Sequence, residues 1–264
     1  MVTHHIKRCT GLEIKPLNFH VLTIFPSMFD QAFQEGVVGK ALGRGLITLN
    51  SHDLRNFAQD QHRSVDDYTF GGGPGMLMSP GPLFAGVEHI RESYGIQDSP
   101  VILLTPQGKA LNQVHVEQFS TTSDLILICG RYEGVDERVR QELVTHEVSI
   151  GDYVLSGGEL ASMVLVDAVS RLVPGVVGSI ESTEDDSFST GLLQFPQYTR
   201  PAEFRGHKVP DVLVSGHHSE IAKWRRRESL RRTLVRRPDL LDYADLTVED
   251  REFIDSISDE TLSI

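Results

Sequence analysis

Residues 125–160, LILICGRYEGVDERVRQELVTHEVSIGDYVLSGGEL, combine an apolar run with two glycine-rich segments. The apolar run stops abruptly at Gly130, which predicts a buried strand followed by a turn. The glycine-rich segments are GRYEG at 130–134 and IGDYVLSGGE at 150–159. Parallel α/β proteins form ligand crevices from exposed backbone and polar side chains just past the end of a buried strand. The stretch therefore predicts a ligand crevice at the carboxyl end of this strand.

Strand and helix patterns alternate along the first two thirds of the chain. Predicted strands cover residues 18–25, 46–49, 101–104 and 125–129. Predicted helices cover residues 27–43, 82–93 and 159–171. The alternation predicts an α/β fold with a largely parallel sheet and helices on its faces. Gly36 and Gly39 are expected to break or end the first helix. The last helix is apolar almost all round, so we expect it to be buried against the sheet or a partner subunit.

Composition and charge narrow the class of protein. The 264 residues carry a net charge of −12, which argues against indiscriminate coating of nucleic acid but allows a local basic patch. The cysteines, Cys9 and Cys129, suggest neither a disulfide framework nor a zinc site, and Cys129 is expected to be a buried thiol. No apolar run approaches the roughly 20 residues that span a bilayer, and residues 1–17 lack the apolar region of a signal peptide. We therefore expect a cytoplasmic protein.

Two further segments have the composition of ligand-facing loops. Residues 62–78, HRSVDDYTFGGGPGMLM, contain a glycine and proline run that cannot form the interior of a helix or strand. The run joins a charged flank, which includes His62 and Asp66, to an apolar flank, so a functional loop is favoured over a mobile surface loop. TPQG at 105–108 lies between a strand and a helix entered near Asn112, as in many ligand-facing βα turns.

The common nucleotide-binding fingerprints are missing. No GxGxxG opens a helix and no GxxxxGK[ST] is present, which disfavours a dinucleotide or ATP enzyme. The glycine segments can still form a backbone cup, because main-chain N–H and C=O groups read adenine edges and glycine allows close approach. Glu133 or Asp152 would then pair with a cationic part of the ligand or with a ribose hydroxyl.

The last third of the chain changes in charge. Residues 178–190 are polar and acidic, which is the composition of a linker. A helix is predicted over 220–241, and its residues 223–237 hold eight Lys or Arg against one Glu. Seven of these cations are arginines, and Trp224 lies among them. Contact with RNA phosphates or bases is therefore favoured over a merely solvated basic face.

Two groups of charged side chains have both an ordinary and a functional interpretation. Glu184, Asp185 and Asp186 are candidate general bases, although three acidic residues in a linker are more often simply solvated. Asp167 and Arg171 lie four residues apart on a predicted helix. They form either an i,i+4 ion pair or a guanidinium that a carboxylate aims at a substrate. The residues alone leave both alternatives open.

A set of motifs extends from about Asn18 to Leu241 and covers nearly all of the chain. The motifs are IFPSMFD, HRSVDDYTFGGGPGM, LTPQGKALNQ, LILICGRYEGVDERV, SIGDYVLSGGEL, DAVSRLVPGVVG, EDDSF, PQYTRP, VLVSGHH and KWRRRESLRRTLVRRPDLL. In these motifs and their order the sequence strongly resembles the TrmD family of bacterial tRNA (guanine-N1)-methyltransferases, which belongs to the SPOUT superfamily.

The resemblance implies a fold and an assembly. It implies an α/β SPOUT-type parallel sheet with a deep trefoil knot, followed by a small, mainly helical C-terminal domain. The implied divisions are an N-terminal extension at 1–17, a knotted methyltransferase domain at 18–177, an interdomain linker at 178–190 and a helical tRNA-binding domain at 191–264. A homodimer with each active site at the subunit interface is implied, without any membrane association.

The resemblance also implies S-adenosylmethionine as the methyl donor, bound in a bent conformation by the three knotted loops. The residues expected to line its site are Leu104, Thr105, Pro106, Gln107, Gly108, Gly130, Tyr132, Glu133, Gly134, Ile150, Gly151, Asp152, Tyr153, Val154, Leu155, Gly157 and Gly158. A role for Mg²⁺ stays open, because the sequence contains no dedicated ligand cluster.

The implied reaction methylates N1 of the guanosine 3′ of the anticodon, position 37, in tRNA. Asp186 is the implied base for the N1 proton, with Asp185 as a one-position alternative. Arg171 is the implied cation at O6, and Glu133 orients the methionine end of the donor. Substrate contacts are implied for His62, Asp66, Arg225, Arg226 and Arg231. The alternatives are a SPOUT enzyme acting on another RNA, such as a ribose 2′-hydroxyl of rRNA, and a non-catalytic RNA-binding factor.

Overall fold

The computed structural model describes residues 15–178 and 186–261. The chain divides into two compact units, Met1–Gly178 and Ser179–Ile264. Among the described helices, none combines the length and the apolar character needed to cross a membrane.

Several sequence predictions fall outside the described residues. They concern Cys9, most of the extension at 1–17, most of the linker at 178–190, and the candidate bases Glu184 and Asp185. The described residues do not test these points, and they stay predictions. Asp186, the implied base, is the first described residue after the gap.

The first unit is built on a five-stranded parallel sheet. Its strands are β1 (Leu17–Thr23), β2 (Ile47–Asp53), β5 (Val101–Ala110), β6 (Asp124–Cys129) and β7 (His146–Ser149), and a separate antiparallel hairpin consists of β3 (Asp66–Tyr68) and β4 (Met76–Met78). The strand order is β2-β1-β6-β5-β7, and every neighbouring pair is parallel. The helices are α1 (Pro26–Ala32), α2 (Gly36–Gly43), α3 (Pro80–Tyr94), α4 (Gln113–Ser120), α5 (Glu137–Glu142) and α6 (Glu159–Ser170). The predicted α/β class with a largely parallel sheet is confirmed.

Strand β6 lies at the centre of the sheet, and each of its residues is buried. Leu125 and Leu127 join the core cluster that includes α6, whereas Ile126 and Ile128 join the cluster that includes α3. A strand covered on both faces needs apolar residues at successive positions rather than alternation, which explains the apolar run. The Cys129 thiol is fully buried, as predicted, and burial raises its pKa well above the ordinary value.

The predicted helix over 27–43 is in fact two helices. The chain turns at Gly36, which has a φ of +76° and begins α2. Gly39 lies within α2, so the expectation that it would end a helix is wrong. A Cβ at Gly39 would lie 2.8 Å from the carbonyl oxygen of Phe33, so this glycine instead lets α2 pack against the preceding turn.

Two segments contain more strand structure than the sequence predicts. The strand expected at 101–104 continues to Ala110 by pairing with β7 a second time. The loop expected at 62–78 contains the hairpin β3–β4, because its charged and apolar flanks pair with each other. Its glycine-rich run lies between the two strands, as predicted.

Helix α6 is buried on one side rather than all round. Its sheet-facing side includes Leu165, which is fully buried. Leu160 and Val164 are 52% and 48% exposed, and Asp167 and Arg171 are exposed as well. These four residues recur at helical spacing, so α6 presents a half-apolar exposed stripe.

A group of histidine and tyrosine rings lies between the sheet and α3, and its central ring, His20, is fully buried. The rings of His20 and His52 stack with centroids 5.7 Å apart, and Tyr94 meets the His20 ring edge-on at 4.3 Å. His20 Nε2 lies 3.5 Å from Asp124 Oδ1, which is a distant ion-pair contact rather than a good hydrogen bond. Burial, together with the nearby His20 and His89, lowers the pKa of His52 to about 4. Burial also lowers the pKa of His20, against the opposing effect of Asp124.

Acidification is expected to destabilise the first unit through this group. Below pH 6.5 the unfolded chain binds a proton at His52, whereas the folded chain binds one only near pH 4. The contribution of His52 to the free energy of unfolding is therefore fully present above pH 6.5 and is lost as the pH falls toward 4. After allowance for partial exposure, we expect a loss of roughly 2 kcal/mol. Chemical unfolding at pH 7, 6, 5 and 4 measures it. His52→Gln should flatten the pH dependence, whereas the exposed His207→Gln should leave it unchanged; equal slopes in both variants would contradict the assignment.

The second unit contains short strands and three described helices. Its strands are β8 (Glu203–Phe204) and β9 (His207–Lys208), and its helices are α7 (Asp211–Val214), α8 (His218–Arg236) and α9 (Val248–Thr261). The helix predicted over 220–241 is α8, which ends earlier because Pro238 cannot continue it. Leu230 and Thr233 of α8 are buried.

Candidate active site

A cavity of about 330 Å³ lies at the carboxyl ends of β6 and β7, beside a bulge in β5. Three chain segments form most of it: 104–107, 130–135 and 148–158. The predicted donor-site residues that line the cavity are Leu104, Thr105, Pro106, Gln107, Gly130, Tyr132, Glu133, Gly134, Ile150, Gly151, Tyr153, Val154, Leu155, Gly157 and Gly158. The remaining two, Gly108 and Asp152, are not among its lining residues. The cavity has the size and position of a small-molecule site in an α/β protein.

The first segment is a bulge in β5. Leu104 and Lys109 both pair with Val148 of β7, so residues 105–108 between them project out of the strand. A Cβ at Gly108 would lie 2.4 Å from the Val148 backbone nitrogen. Gly108 therefore allows the bulge to close against β7 and positions the loop without lining the cavity itself.

The second segment, 130–135, is held by the hairpin β3–β4. The Glu133 backbone N–H donates to the Met76 carbonyl oxygen at 3.0 Å, and the Met78 N–H donates to the Gly134 carbonyl oxygen at 3.0 Å. A Cβ at Gly75 would lie 2.5 Å from Glu133 Oε1, so the carboxylate lies directly against the glycine-rich loop. The predicted functional loop therefore packs against the cavity.

Asp66, a predicted substrate contact, belongs to the same arrangement. Tyr132 has a φ of 61°, an uncommon conformation for a residue with a side chain. Partial burial, followed by the negative charge of the nearby Asp66, raises the pKa of the Tyr132 hydroxyl group. Asp66 therefore lies close enough to a cavity-lining residue to affect its pKa, whereas His62 lies exposed in the preceding turn.

The third segment crosses the second at very short range. The Gly158 N–H donates to the Gly130 carbonyl oxygen at 2.8 Å. A Cβ at Gly158 would lie 2.8 Å from the Cα of Cys129. Earlier in the segment, Gly151 has a φ of +149° and the Tyr153 ring occupies the position where a Cβ would point. Gly158 is therefore required by a close chain crossing, and Gly151 by its backbone conformation and the adjacent Tyr153 ring.

A buried ion pair that the sequence analysis missed joins the second and third segments. Arg131 Nε donates to Glu159 Oε2 at 2.9 Å, and Glu159 is only 1% exposed. The other carboxylate oxygen accepts a hydrogen bond from Thr23 Oγ1 at 2.8 Å. Arg131 also donates from Nη1 to the Ser156 carbonyl oxygen at 3.2 Å and lies over the Phe25 ring at 4.6 Å. The one signal in the sequence that could have indicated this ion pair is Glu159, an acidic residue at the start of a helix that was predicted to be buried.

The implied catalytic residues occupy different places. Glu133 lines the cavity. Arg171 is exposed at the end of α6, where its backbone N–H donates to the Asp167 carbonyl oxygen at 3.2 Å, and it is not among the lining residues. Asp186 lines a separate cavity of about 420 Å³ within the second unit, together with Phe195.

The three predicted tRNA-contacting arginines of α8 also differ. Arg225 lines the cavity of the second unit, and its guanidinium lies 4.8 Å from the centroid of the Phe195 ring. Arg226 donates to the largely buried Asp250 at 2.8 Å and thereby lowers the pKa of that carboxylate. Arg231 is half exposed and pairs with Glu228. Arg226 is thus engaged within its own unit, so its replacement would affect folding as well as any RNA contact.

The sequence left a role for Mg²⁺ open. Among the residues that the structure describes, no three His, Cys, Asp or Glu side chains come together as a metal-binding group.

A parallel α/β sheet with a glycine-lined cavity at the carboxyl ends of its strands defines the class of α/β enzymes that bind a small cofactor at this edge. A family model described as tRNA (Guanine-1)-methyltransferase TrmD matches residues 17–243. The chain belongs to this family, and it is accordingly an enzyme, a tRNA (guanine-N1)-methyltransferase.

Similar proteins from several bacteria carry the same description. A tRNA (guanine-N(1)-)-methyltransferase of Geotalea uraniireducens is 55% identical, over 91% of this chain and 97% of its own length. Proteins of that name from Dehalococcoides mccartyi and Geobacillus kaustophilus are 53% and 51% identical, over 91% and 90% of this chain and 97% of each relative. The resemblance seen in the sequence motifs is thereby confirmed.

Proposed function

We propose that this chain transfers a methyl group from S-adenosylmethionine to N1 of the guanosine 3′ of the anticodon, position 37, in tRNA. The observation that carries the proposal is the cavity at the carboxyl edge of the sheet, formed by segments 104–107, 130–135 and 148–158 in a member of this family. S-adenosylmethionine, when bound, supplies an electrophilic methyl group on a sulfonium.

The lining of the cavity suits this donor. Leu104, Ile150 and Leu155 provide apolar surface for a flat purine, and backbone groups at the glycine crossings are available to read its edges. Glu133 provides a carboxylate for the cationic methionine end. The glycine positions matter because at Gly151 and Gly157 a Cβ would meet neighbouring side chains within 2.5 Å.

Two residues are proposed to activate the nucleophile. Guanine N1 carries a proton and becomes a good nucleophile only when a base removes it; Asp186 is the proposed base. Negative charge then spreads to O6, and Arg171 is the proposed cation that stabilises it. Both assignments come from the family motifs. Neither residue is among those that line the first-unit cavity.

A homodimer with the active site at its interface is part of the proposal. The exposed stripe of α6 supports it, because Leu160 and Val164 are apolar side chains beside the charged residues Asp167 and Arg171. Such a stripe is suited to burial by a second copy. The SPOUT trefoil knot is proposed as well, and the close crossing of Gly158 over the chain at Cys129 and Gly130 supports it.

Most of the proposed RNA contacts lie in the second unit. Helix α8 carries the arginine-rich segment, and guanidinium groups match phosphate oxygens better than ammonium groups do. Arg225 and Arg231 are proposed to contact tRNA, together with His62 and Asp66 from the first unit. Arg226 is also proposed to contact tRNA, although its guanidinium already pairs with the Asp250 carboxylate.

Methyl transfer should depend on the single guanosine after the anticodon. We expect label from methyl-labelled S-adenosylmethionine to enter a tRNA transcript with guanosine at that position and to be lost when adenosine replaces it. Nuclease digestion of the product should yield 1-methylguanosine. Equal labelling of both transcripts, or label in a ribose, would reject the proposal in favour of another RNA substrate. Donor binding without any transfer would favour a non-catalytic RNA-binding factor. A parallel reaction with EDTA decides whether Mg²⁺ assists.

A further inference from the structure

The hairpin β8–β9 projects from the second unit with none of its side chains buried. Every residue from 197 to 208 is exposed. The segment is nevertheless folded, because Glu203 pairs with Lys208 and Phe204 pairs with His207. An isolated two-stranded hairpin is only marginally stable in water. Its formation without a covered face suggests that it serves a partner rather than the core.

The turn of this hairpin contains a residue that the backbone geometry does not favour. Arg205 and Gly206, the two turn residues, have φ values of 52° and 83°. Hairpin turns with two positive φ angles strongly prefer Asn or Gly at both positions, and a long side chain at the first is conformationally unfavourable. An exposed residue that does not suit its own backbone conformation, as Arg205 does not, is typical of a functional site. The arginine is therefore present for its side chain.

The chemistry of the turn combines an aromatic ring with cations. The guanidinium carbon of Arg205 lies 5.2 Å from the centroid of the Phe204 ring, and Phe204 is 60% exposed. Lys208 is 74% exposed and only distantly paired, with 3.8 Å between its Nζ and Glu203 Oε2. Arg200 adds another exposed cation just before the hairpin. This group is positive in a chain whose net charge is −12.

We propose that the tip of β8–β9 binds unpaired nucleotides of the tRNA substrate. Phe204 stacks against a base, and Arg205 and Lys208 contact the phosphates that flank it. The inference rests on the proposed function and adds a specific RNA contact to it. Exposed aromatic rings beside guanidinium groups are the common means of holding unpaired RNA bases, because every base offers a π-face. Positive charge matches the phosphate backbone.

A second copy of this chain fits the hairpin less well. Its strands are two residues long, so their edges offer little for pairing with another strand. A protein interface of useful strength also needs an apolar centre, and Phe204 is the single large apolar side chain between Arg200 and Lys208.

Two substitutions separate RNA contact from hairpin stability. Arg205→Asn removes the guanidinium but suits a positive φ better, so the hairpin should be at least as stable. Phe204→Leu keeps an apolar side chain and removes the flat ring. Binding is measured with a tRNA transcript and with an unstructured RNA oligonucleotide at several salt concentrations, whether or not methylation is observed. Donor binding, measured without RNA, checks that the rest of the protein is intact.

The expected effects on RNA affinity are specific to each variant. Phe204→Leu should weaken tRNA binding about 5- to 50-fold with an unchanged salt dependence, since it removes stacking. Arg205→Asn should weaken binding and lower the slope of log affinity against log salt by about 1, since it removes one phosphate contact. Both variants should bind the donor normally. Affinities for both RNAs within twofold of the unsubstituted protein would overturn the inference. The inference would also be overturned if a change in oligomeric state accounted for the loss of RNA affinity. A failed methylation assay would reject the proposed function alone.

Discussion

Replacing Asp186 with Asn is expected to lower the rate of methyl transfer by about 10²- to 10⁴-fold while leaving donor binding intact. The amide has nearly the same shape as the carboxylate, but it cannot accept the proton from guanine N1. Asp186 does not line the first-unit cavity, which is the proposed donor site. Single-turnover methylation with saturating tRNA measures the loss, and calorimetry with S-adenosylmethionine checks the donor affinity.

The neighbouring carboxylate is the matched control for this prediction. Asp185→Asn should retain most activity, because the resemblance assigns the base to Asp186. An inactive Asp185→Asn together with an active Asp186→Asn would shift the assignment by one position. If both variants keep full activity, the base lies elsewhere. A pH–rate profile adds a second readout, since loss of the base should also remove the acidic limb of the profile.

Replacing Arg131 with Met is expected to reduce the free energy of unfolding of the first unit by about 3–5 kcal/mol. The substitution leaves the Glu159 carboxylate buried without its cation, and Thr23 alone would then hold it. It also removes the contact with the Ser156 carbonyl oxygen in the third cavity segment. Donor affinity should therefore fall even at a temperature where the variant is fully folded. Chemical unfolding and donor titration measure the two effects separately.

Two further variants make this prediction specific. Arg131→Met combined with Glu159→Gln removes both charges and keeps an acceptor for Thr23, so it should recover part of the lost stability. Arg138→Met breaks an exposed pair with Asp136, in which the arginine side chain is 65% exposed. Arg138→Met should therefore reduce the free energy of unfolding by less than about 1 kcal/mol. Equal losses for Arg131→Met and Arg138→Met would show that the buried pair has no special role.

Much of the fold and many residues of the cavity were predictable from local pattern. The run from Leu125 to Cys129 predicted a buried strand, since a strand covered on both faces must be apolar at each position. The glycines at 130, 151 and 158 predicted exposed backbone past the strand ends, and they do line the cavity. Local pattern failed at Gly39, where a glycine serves close packing rather than helix termination, because composition cannot distinguish these two uses.

The ion pairs depended on the tertiary structure. Arg131 and Glu159 meet because two loops, far apart in the chain, cross with no room for a Cβ at Gly158. Arg226 and Asp250 meet because α8 packs against α9. Periodicity predicts which residues turn toward a core, since it depends on neighbours within a few positions. Which charges become partners depends on how distant segments pack, so the sequence predicted strands, glycine loops and a basic helix, and the packed chain determined which arginines are held inside it.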